Sequence, residues 1–339
     1  MNRRKTKTSN QEQVRGALVQ VAHLYYDENL SQQEIADRLG MSRSLIAQYL
    51  QRSREAGIVR IEIIDPDEAC IDLAQALTRE TGVKHVTVIP KPRGPEMLAL
   101  RAVAGAAAGF ITNHLKSGDT FGLAWGRTTS TVVELLKPPR VHNLDVFPML
   151  GETSYSGLHS QMNQLVMLAA EKLQAKAHFL SLPMVLSSSA LRDALLNEAG
   201  IRDVIKRWDR INLACVGIGT VPPLPGMTVY IGSEHLPRLV EAGAVGDICG
   251  IYFDQDGKIV KNGLEDQIIG VDILQMRKIR CLVAVGCGEG KARAILGAMR
   301  TGLLSALFVD QIAAEYILAM LHSTTTGKSK GQDRAAGIS

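Results

Sequence analysis

Several features that many proteins possess are scarce or missing in this sequence of 339 residues. No apolar run approaches the roughly 18 residues that a membrane-spanning helix needs. The polar start MNRRKTKTSNQEQ lacks the apolar stretch of a secretory signal. The five cysteines form no C-x-x-C pair, which argues against zinc and disulfide frameworks and favours free thiols in a reducing compartment. We therefore expect a cytoplasmic protein without a metal site, a cofactor or a membrane partner.

Aromatic residues are also scarce, at 4% of the chain, whereas glycine is plentiful with 31 residues. This balance favours an α/β domain with tight strand-to-helix turns over a β-sandwich. Charge is unevenly distributed: residues 1–60 contain 10 Lys and Arg against 6 Asp and Glu, whereas residues 61–339 contain 28 of each. A basic excess at one end indicates a polyanionic partner, although a solvated basic tail would give the same count.

The sharpest local pattern lies in LSQQEIADRLGMSRSLIAQYLQRSREAGIVRI, residues 30–61. Ser31 can cap a helix over residues 32–39, and Glu34 completes a capping box three residues later. Gly40 then supplies the left-handed residue that ends this helix. The pattern predicts a helix-turn-helix, because a third helix follows directly after the turn.

The third helix is predicted over residues 42–54, and VRIEI (59–63) alternates like a small strand or wing. The outward face of the third helix carries short polar groups and arginines, which suit a DNA major groove. The predicted DNA-contacting residues are Gln33, Ser42, Arg43, Ser44, Ala47, Gln48 and Arg52. A helical hairpin used for protein contacts is the alternative, but the caps, the turn and the basic excess together favour double-stranded DNA.

Beyond Asp65-Pro66-Asp67, apolar strand-like runs alternate with amphipathic helical segments. This alternation predicts an α/β fold with a mostly parallel sheet covered on both faces. The predicted strands are 85–89, 120–125, 144–150, 177–182, 211–218, 246–253, 280–286 and 306–309.

We predict a domain organisation of four parts. Residues 14–64 are predicted to form the helix-turn-helix domain, and residues 65–322 the α/β domain, to which the resemblance described below adds sugar-phosphate binding and oligomerisation. Residues 1–13 and 323–339 are polar and are predicted to be disordered tails.

One candidate anion site lies in DTFGLAWGRTTSTVVELL, residues 119–136, where an apolar strand ends at a glycine and a helix begins. Free backbone amides and the helix dipole favour an anion at such a junction. The candidate residues are Gly126, Arg127, Thr128, Thr129 and Ser130. Ordinary helix capping by the hydroxyl groups is the alternative.

A second candidate lies in LVAVGCGEGKARAILGAMRTG, residues 282–302. Its spacing matches neither a P-loop nor a dinucleotide-binding fingerprint. Lys291 follows the glycines on the first helical turn and would suit a phosphate or a polar end of a sugar, or else is a solvated surface lysine.

Other turns supply further candidates for contacts with sugar hydroxyls. Gly217 and Gly219 end one apolar strand, and Asp247 begins another between small residues. Asp247 could accept hydrogen bonds from hydroxyl groups or merely cap a turn. Asn163 opens a helix after the strand at 144–150 and is a weaker candidate.

These segments together resemble the SorC/DeoR-type sugar-responsive bacterial regulators, over about residues 14–320. The segments that carry the resemblance are LVQVAHLYYDENLSQQEIADRLGMSRSLIAQYL, AGIVRIEI, WGRTTSTV, VGIGT, GAVGDICG, GEGKARAI and LFVDQIAAEYIL. This chain has Ala47-Gln48 where the family often has Ser-Arg. Because Gln prefers adenine and Arg prefers guanine, that difference bears on the operator sequence.

The resemblance implies a NagB/RpiA-like effector domain and a homotetramer or a dimer of dimers. It also implies that Gly126 to Ser130, Asp247 and Lys291 line a site for a small phosphorylated sugar. The alternative is a phosphosugar isomerase that carries a DNA-binding domain. Isomerisation needs a positioned general base with a second acid or base group. No histidine or paired carboxylate lies near Asp247 in sequence, so we expect no enzyme and no catalytic residue.

Overall fold

The structure, a computed structural model, describes residues 3–59, 68–91, 96–152, 161–222, 235–261 and 263–335. The chain forms two compact units, Met1–Asp65 and Pro66–Ser339. Among the described helices, none combines the length and the apolar character that crossing a bilayer requires.

The N-terminal unit consists of helices α1 (Arg3–Tyr26), α2 (Gln32–Leu39) and α3 (Arg43–Glu55). Each helix contributes two buried apolar side chains to one small core. These side chains are Val21, Leu24, Ile35, Ala36, Ile46 and Leu50. Burial of this shared apolar surface stabilises three helices that would be marginal in isolation.

Hydrogen bonds within one turn fix the starts of α2 and α3. The Ser31 hydroxyl accepts the Glu34 amide, and the Glu34 carboxylate accepts the Ser31 amide at 2.7 Å. Gly40 ends α2 with φ of 65°, in the left-handed region, and the Ser42 hydroxyl accepts the Leu45 amide at 3.3 Å. The predicted capping box and helix-turn-helix are therefore confirmed.

The sequence also predicted two disordered tails and a wing after α3. Residues 3–13 belong to α1, and residues 323–335 belong to the C-terminal helix, although polar composition predicted disorder for both segments. Once the apolar part of a helix is packed, each further residue adds one backbone hydrogen bond, and the helix can therefore extend into polar sequence. Residues 1, 2 and 336–339 lie outside the described residues, as does the predicted wing from residue 60 onward.

The C-terminal unit alternates strands and helices along the chain. Its strands are β1 (His85–Ile89), β2 (Thr120–Leu123), β3 (Asp145–Pro148), β4 (Lys176–Ala177), β5 (Ile211–Gly217), β6 (Gly219–Thr220), β7 (Ala244–Ile248), β8 (Ile251–Asp254), β9 (Cys281–Gly286) and β10 (Ala306–Asp310). Its helices are α4 (Glu68–Thr81), α5 (Glu96–His114), α6 (Arg127–Leu135), α7 (Met162–Leu173), α8 (Ser189–Asn197), α9 (Ala199–Lys206), α10 (His235–Glu241), α11 (Ile273–Lys278), α12 (Ala292–Arg300) and α13 (Gln311–Ala335).

Seven strands form one parallel sheet in the order β1-β10-β9-β5-β2-β3-β4. Alternate residues along a strand face two separate apolar clusters: Leu282 and Ala284 of β9 pack with α4, α12 and α13, whereas Val283 and Val285 pack with α5, α6 and α7. Both faces of the sheet are thus covered, and the predicted α/β fold with a mostly parallel sheet is confirmed.

Two predicted strands were wrong in detail. Residues 246–253 are not one strand, because β7 and β8 form an antiparallel hairpin beside β6. Its two turn residues, Cys249 and Gly250, have φ of 54° and 74°, and cysteine is not a residue that signals such a turn. Of residues 177–182, only Ala177 pairs in the sheet, as part of β4.

Candidate functional site

The carboxyl ends of β2, β5 and β9 lie side by side, because the three strands are parallel neighbours. The order of the strands reverses between β2 and β5: β3 and β4 extend to one side, whereas β9 and β10 extend to the other. Ligands of open α/β sheets bind in the crevice at such a reversal. The candidate segments after β2, β5 and β9 therefore meet where the fold favours a ligand.

Helix α6 begins directly after β2 without a side-chain cap. Gly126 occupies the cap position with φ of 135°, a backbone conformation that favours glycine. Thr128, Thr129 and Ser130 on the first turn are buried, whereas Arg127 is exposed. Amides at an uncapped helix start carry partial positive charge, and a neighbouring cation adds to the attraction for an anion.

The hydroxyl of Thr129 is fully buried, and Oγ1 has no hydrogen-bond partner among the described residues. Gly126 and Gly217 flank the hydroxyl, and an added Cβ at these two residues would lie 3.6 and 3.9 Å from Oγ1. Thr131, two residues along, instead donates from Oγ1 to the Arg127 carbonyl at 2.9 Å. Because buried polar groups are nearly always hydrogen-bonded, the Thr129 hydroxyl marks a place for a ligand atom or a water.

Lys291 reaches the segment that follows β5. It ends a 3-10 turn, Glu289–Lys291, and its Nζ donates to the Ile218 carbonyl at 2.7 Å. Ile218 lies between Gly217, which faces Thr129, and Gly219. A part-buried ammonium group therefore lies against the same glycine segment as the open start of α6.

Asp247 lies on the other side of this glycine segment, paired with Gly219 across β6 and β7. An added Cβ at Gly219 would lie only 1.9 Å from Asp247 Oδ1, so no side chain fits there. The Gly250 amide donates to Oδ2 at 3.0 Å. Burial raises the pKa of Asp247, while the Gly250 bond and the charge of Lys291 oppose that rise.

The structure thus brings together most of the predicted effector residues. Gly217 and Gly219 form the centre, with Thr129 and Gly126 on one side and Lys291 and Asp247 on the other. Hydroxyl, amide, ammonium and carboxyl groups together can hold a ligand with an anionic end and a hydroxylated end.

Asn163 is not part of this group of contacts. Its Oδ1 accepts the Leu180 amide at 3.0 Å, and its Nδ2 donates to the Leu180 carbonyl at 3.3 Å. The side chain therefore holds the irregular segment after β4 in place. The start of α7 is also occupied, because the Glu152 carboxylate accepts the amides of Met162 and Asn163, both at 2.8 Å.

Sequence reasoning missed two carboxylates that organise this end of the sheet. One is Glu152, the cap of α7. The other is Asp310, only 2% exposed, whose Oδ1 accepts the Gly288 amide at 2.9 Å in the turn before Lys291. A charged residue that ends a continuous apolar strand, as in ALFVD, is a signal that could have found Asp310. In the described part of the chain, no group of His, Cys, Asp or Glu side chains is arranged to hold a metal ion.

The predicted DNA-contacting residues share one exposed region around α3. Ser42, Arg43, Ser44, Gln48 and Arg52 are exposed, and the hydroxyls of Ser42 and Ser44 lie 3.0 Å apart. Of the remaining two, Gln33 on α2 is exposed and donates to Asp37, and Ala47 is part-buried.

Comparison with known proteins assigns both units. A family model described as "Putative sugar-binding domain" matches residues 65–319, and one described as "Sigma-70, region 4" matches residues 24–56. The sorbitol operon regulator of Klebsiella pneumoniae is 30% identical over 307 residues, which cover 89% of this chain and 97% of that protein. The chain belongs to the SorC family of sugar-responsive transcriptional regulators.

Further relatives agree with this assignment. The deoxyribonucleoside regulator of Bacillus subtilis (strain 168) is 28% identical over 302 residues, covering 88% of this chain and 96% of that protein. The crystal structure of the full-length sorbitol operon regulator SorC from Klebsiella pneumoniae superimposes with a TM-score of 0.75 at 28% identity, covering 89% of this chain and 98% of that one. The family predicted from sequence is therefore confirmed.

Proposed function

We propose that this SorC-family regulator is controlled by a small phosphorylated sugar held where β2, β5 and β9 end. The phosphate would lie on the amides of α6, with the Thr129 hydroxyl as a donor. The sugar would extend along Gly217–Gly219 toward Lys291 and Asp247. The observation that carries this proposal is the buried Thr129 hydroxyl, which has no hydrogen-bond partner among the described residues at an uncapped helix start.

The charges and hydrogen-bonding groups of the proposed site match both the phosphate and the sugar of this ligand. A phosphate accepts several hydrogen bonds, which amides, Thr129 and Arg127 can donate. At the other end, Asp247 can accept from a sugar hydroxyl and Lys291 can donate to an oxygen. A neutral sugar without phosphate would leave the open start of α6 unoccupied.

The test compares Thr129→Val with Thr131→Val on the same helix. Both changes replace a buried threonine, but only Thr131 has an internal partner. We would measure the melting temperature of the full-length protein with glucose 6-phosphate, ribose 5-phosphate, deoxyribose 5-phosphate, sorbitol 6-phosphate and the unphosphorylated parents. Ligand binding to the folded state raises the melting temperature.

The expected result is that one or more of the phosphorylated compounds stabilise the wild type and Thr131→Val but not Thr129→Val. Loss of one buried hydrogen bond to a charged ligand should weaken binding about tenfold or more. Stabilisation by the parent sugars to the same extent would contradict the role of phosphate. Equal binding by the two variants would contradict the role of Thr129.

For the other unit, we propose that α3 enters the major groove with Gln48 reading a base edge. Arg43 and Arg52 flank it and can contact phosphates, which position the protein without specifying sequence. In vitro selection from a random duplex pool would define the operator for the wild type. Gln48→Ala should lose about 1–3 kcal/mol of discrimination at one base pair of each half-site. Gln20→Ala, an exposed change on α1, is the control and should retain the wild-type preference.

We further propose that the protein acts in the cytoplasm as a dimer or tetramer. Helix-turn-helix proteins read two half-sites, and a symmetric oligomer matches that arrangement. Sedimentation of the protein with and without operator DNA measures the number of copies. A monomer that binds one half-site at full affinity would contradict this part of the proposal.

Enzymatic turnover is the competing function, because a carboxyl group and an ammonium group lie beside the same glycine segment. We propose binding alone. Burial raises the pKa of Asp247, as in carboxyl groups that act as general bases, so Asp247 is the residue that a test for turnover must address. Nuclear magnetic resonance of each sugar phosphate after long incubation with the protein distinguishes the two functions. Conversion that is lost in Asp247→Asn would establish an isomerase-like activity.

A further inference from the structure

One of the two tryptophans of the chain, Trp125, lies between the end of β2 and the start of α6. Its side chain is part-buried and packs against both apolar clusters of the C-terminal unit. Because those clusters lie on opposite faces of the sheet, a side chain that contacts both has to extend over the carboxyl ends of the strands. Trp125 therefore lies at the edge of the proposed site, directly before Gly126, the cap position of α6.

The strand register places Trp125 beside Gly217. β2 and β5 pair Leu123 with Cys215, and the Ala124 amide donates to the Cys215 carbonyl at 3.1 Å, so the ladder continues past the end of β2. Two residues further along the two strands lie Trp125 and Gly217. Residues two apart on a strand share a face, and Leu123 and Cys215 both belong to the apolar cluster of α5, α6 and α7. Trp125 and Gly217 therefore share the α6 side of the sheet.

The end of β5 has room for a group larger than the hydrogen atom of Gly217. An added Cβ there would have one neighbour within 4 Å among the described residues, Thr129 Oγ1 at 3.9 Å. At the end of the adjacent strand β9, an added Cβ at Gly286 would instead meet Ile295 Cδ1 at 3.0 Å. The core thus packs closely against the end of β9, whereas the end of β5 can accept at least a methyl group beside Thr129.

We infer that Trp125 is a binding residue for the effector, and that its indole ring covers the C–H face of the sugar in the space over Gly217. The other groups of the proposed site are polar, whereas a sugar also presents apolar C–H patches that can pack on an aromatic ring. Ligand sites combine such apolar surface with a few polar groups that fix orientation. This inference rests on the proposed function, because it requires a sugar phosphate on the amides of α6.

The first test compares Trp125→Leu and Trp125→Phe with the wild type in the full-length protein. Titration calorimetry would use the compound from the sugar phosphate set that stabilises the wild type most. Trp125→Leu should bind it about three- to tenfold more weakly, because an aromatic contact is lost, and Trp125→Phe should recover part of that loss. Phe179→Leu is the matched control, since Phe179 is an aromatic residue outside the site and is 47% exposed. Wild-type affinity in Trp125→Leu, or an equal loss in Phe179→Leu, would overturn the inference.

The second test fills the space over Gly217 with Gly217→Ala. The ligand-free melting temperature should stay close to that of the wild type, because the methyl group would meet no described atom closer than 3.9 Å. Sugar phosphate affinity should fall about tenfold or more, because the methyl group occupies the place of the sugar. Binding at wild-type affinity would overturn the inference, as would a large fall in the ligand-free melting temperature, which would show that the space is absent.

The third test uses fluorescence to observe Trp125 directly. Trp208, the other tryptophan, is 2% exposed and donates from Nε1 to the Pro148 carbonyl at 2.7 Å. Trp208→Phe leaves Trp125 as the single tryptophan, and the difference between the wild type and Trp125→Phe gives the same signal without that change. The emission of Trp125 should change saturably during a titration with the sugar phosphate. Saturable binding without a change in this emission would overturn the inference.

Failure of the inference and failure of the proposed function give different results. A wild type that binds no sugar phosphate would overturn the proposed function, and the inference would fall with it. Loss of binding in Thr129→Val together with full binding in Trp125→Leu would leave the phosphate site in place and overturn the inference alone.

Discussion

Helices α6 and α7 follow the neighbouring strands β2 and β3 at the same edge of the sheet, yet their first amides are used in opposite ways. At α7 the Glu152 carboxylate accepts two amides, so the protein itself supplies the anion. At α6 the cap is Gly126, which has no side chain, and the buried Thr129 hydroxyl has no partner among the described residues. A capped start stabilises the fold, whereas an uncapped one can bind a ligand.

The carboxylates near the two helix starts also differ in how well their hydrogen-bonding capacity is satisfied. Glu152 is bonded by two amides and stabilises a helix. Asp247, beside the α6 site, accepts one amide, and burial raises its pKa. Burial of a carboxylate with so little compensation costs stability in the ligand-free protein. Groups left poorly satisfied in the folded chain therefore indicate the proposed binding site, whereas well-satisfied groups indicate a structural role.

The largest effect should come from Lys291→Met, which keeps the apolar stem and removes the charge beside the α6 site. We expect sugar phosphate affinity to fall about 10–100-fold, or about 1.4–2.8 kcal/mol, because a charged hydrogen bond is lost. Operator affinity without ligand should be unchanged. Titration calorimetry and operator binding measure the two, with exposed Lys261→Met as the control. If operator affinity falls with ligand affinity, Lys291 is a structural residue.

An intermediate effect is expected from Glu152→Ala. This change would make α7 resemble α6, because the amides of Met162 and Asn163 would lose their acceptor. The free energy of unfolding should fall by about 1–2 kcal/mol through loss of the cap. Sugar phosphate affinity should remain within about twofold of the wild type. Chemical denaturation measures stability, and Glu171→Ala, an exposed change on the same helix, is the comparison. Equal stabilities of the two variants would show that the cap contributes nothing.

The smallest effect should come from Asp247→Asn, in the ligand-free protein. Since the pKa of Asp247 is raised above its ordinary value of 3.8, the folded state holds the proton more tightly than the unfolded chain. The stability from this group is full below that value and is lost as pH rises through the folded-state pKa. Asp247→Asn should therefore gain stability relative to the wild type as the pH rises above about 4, and chemical denaturation at several pH values measures that gain. A difference that is independent of pH would contradict a raised pKa.

The parts of the fold predicted well from sequence are those that local chemistry determines. The capping box of Ser31 and Glu34 and the turn at Gly40 depend on residues within one helical turn, and both are as predicted. β1 was predicted with its observed bounds, because four consecutive β-branched residues follow His85 and a proline comes directly after them. The hairpin at Cys249 was missed, since its turn carries no Asn-Gly or Asp-Gly signal.

The site was predicted in part, for a similar reason. Glycines after apolar strands pointed to the ends of β2, β5 and β9, which lie side by side in the sheet. Asn163 was chosen from its position alone, and its bonds to Leu180, 17 residues away, are invisible in sequence. The same holds for the bond between Asp310 and Gly288. That Thr129 lacks a partner whereas Thr131 has one depends on three-dimensional packing, which no pattern of residue types contains.

The most direct test of the central claim follows the backbone amides of α6 and α7 in one titration. Protein labelled with ¹⁵N in threonine and asparagine would be titrated with the stabilising sugar phosphate and separately with its unphosphorylated parent. The amide signals of Thr128 and Thr129 should shift with the phosphorylated compound alone, while the signal of Asn163, bonded to Glu152, stays in place. Saturable binding that leaves Thr128 and Thr129 unmoved would contradict the account.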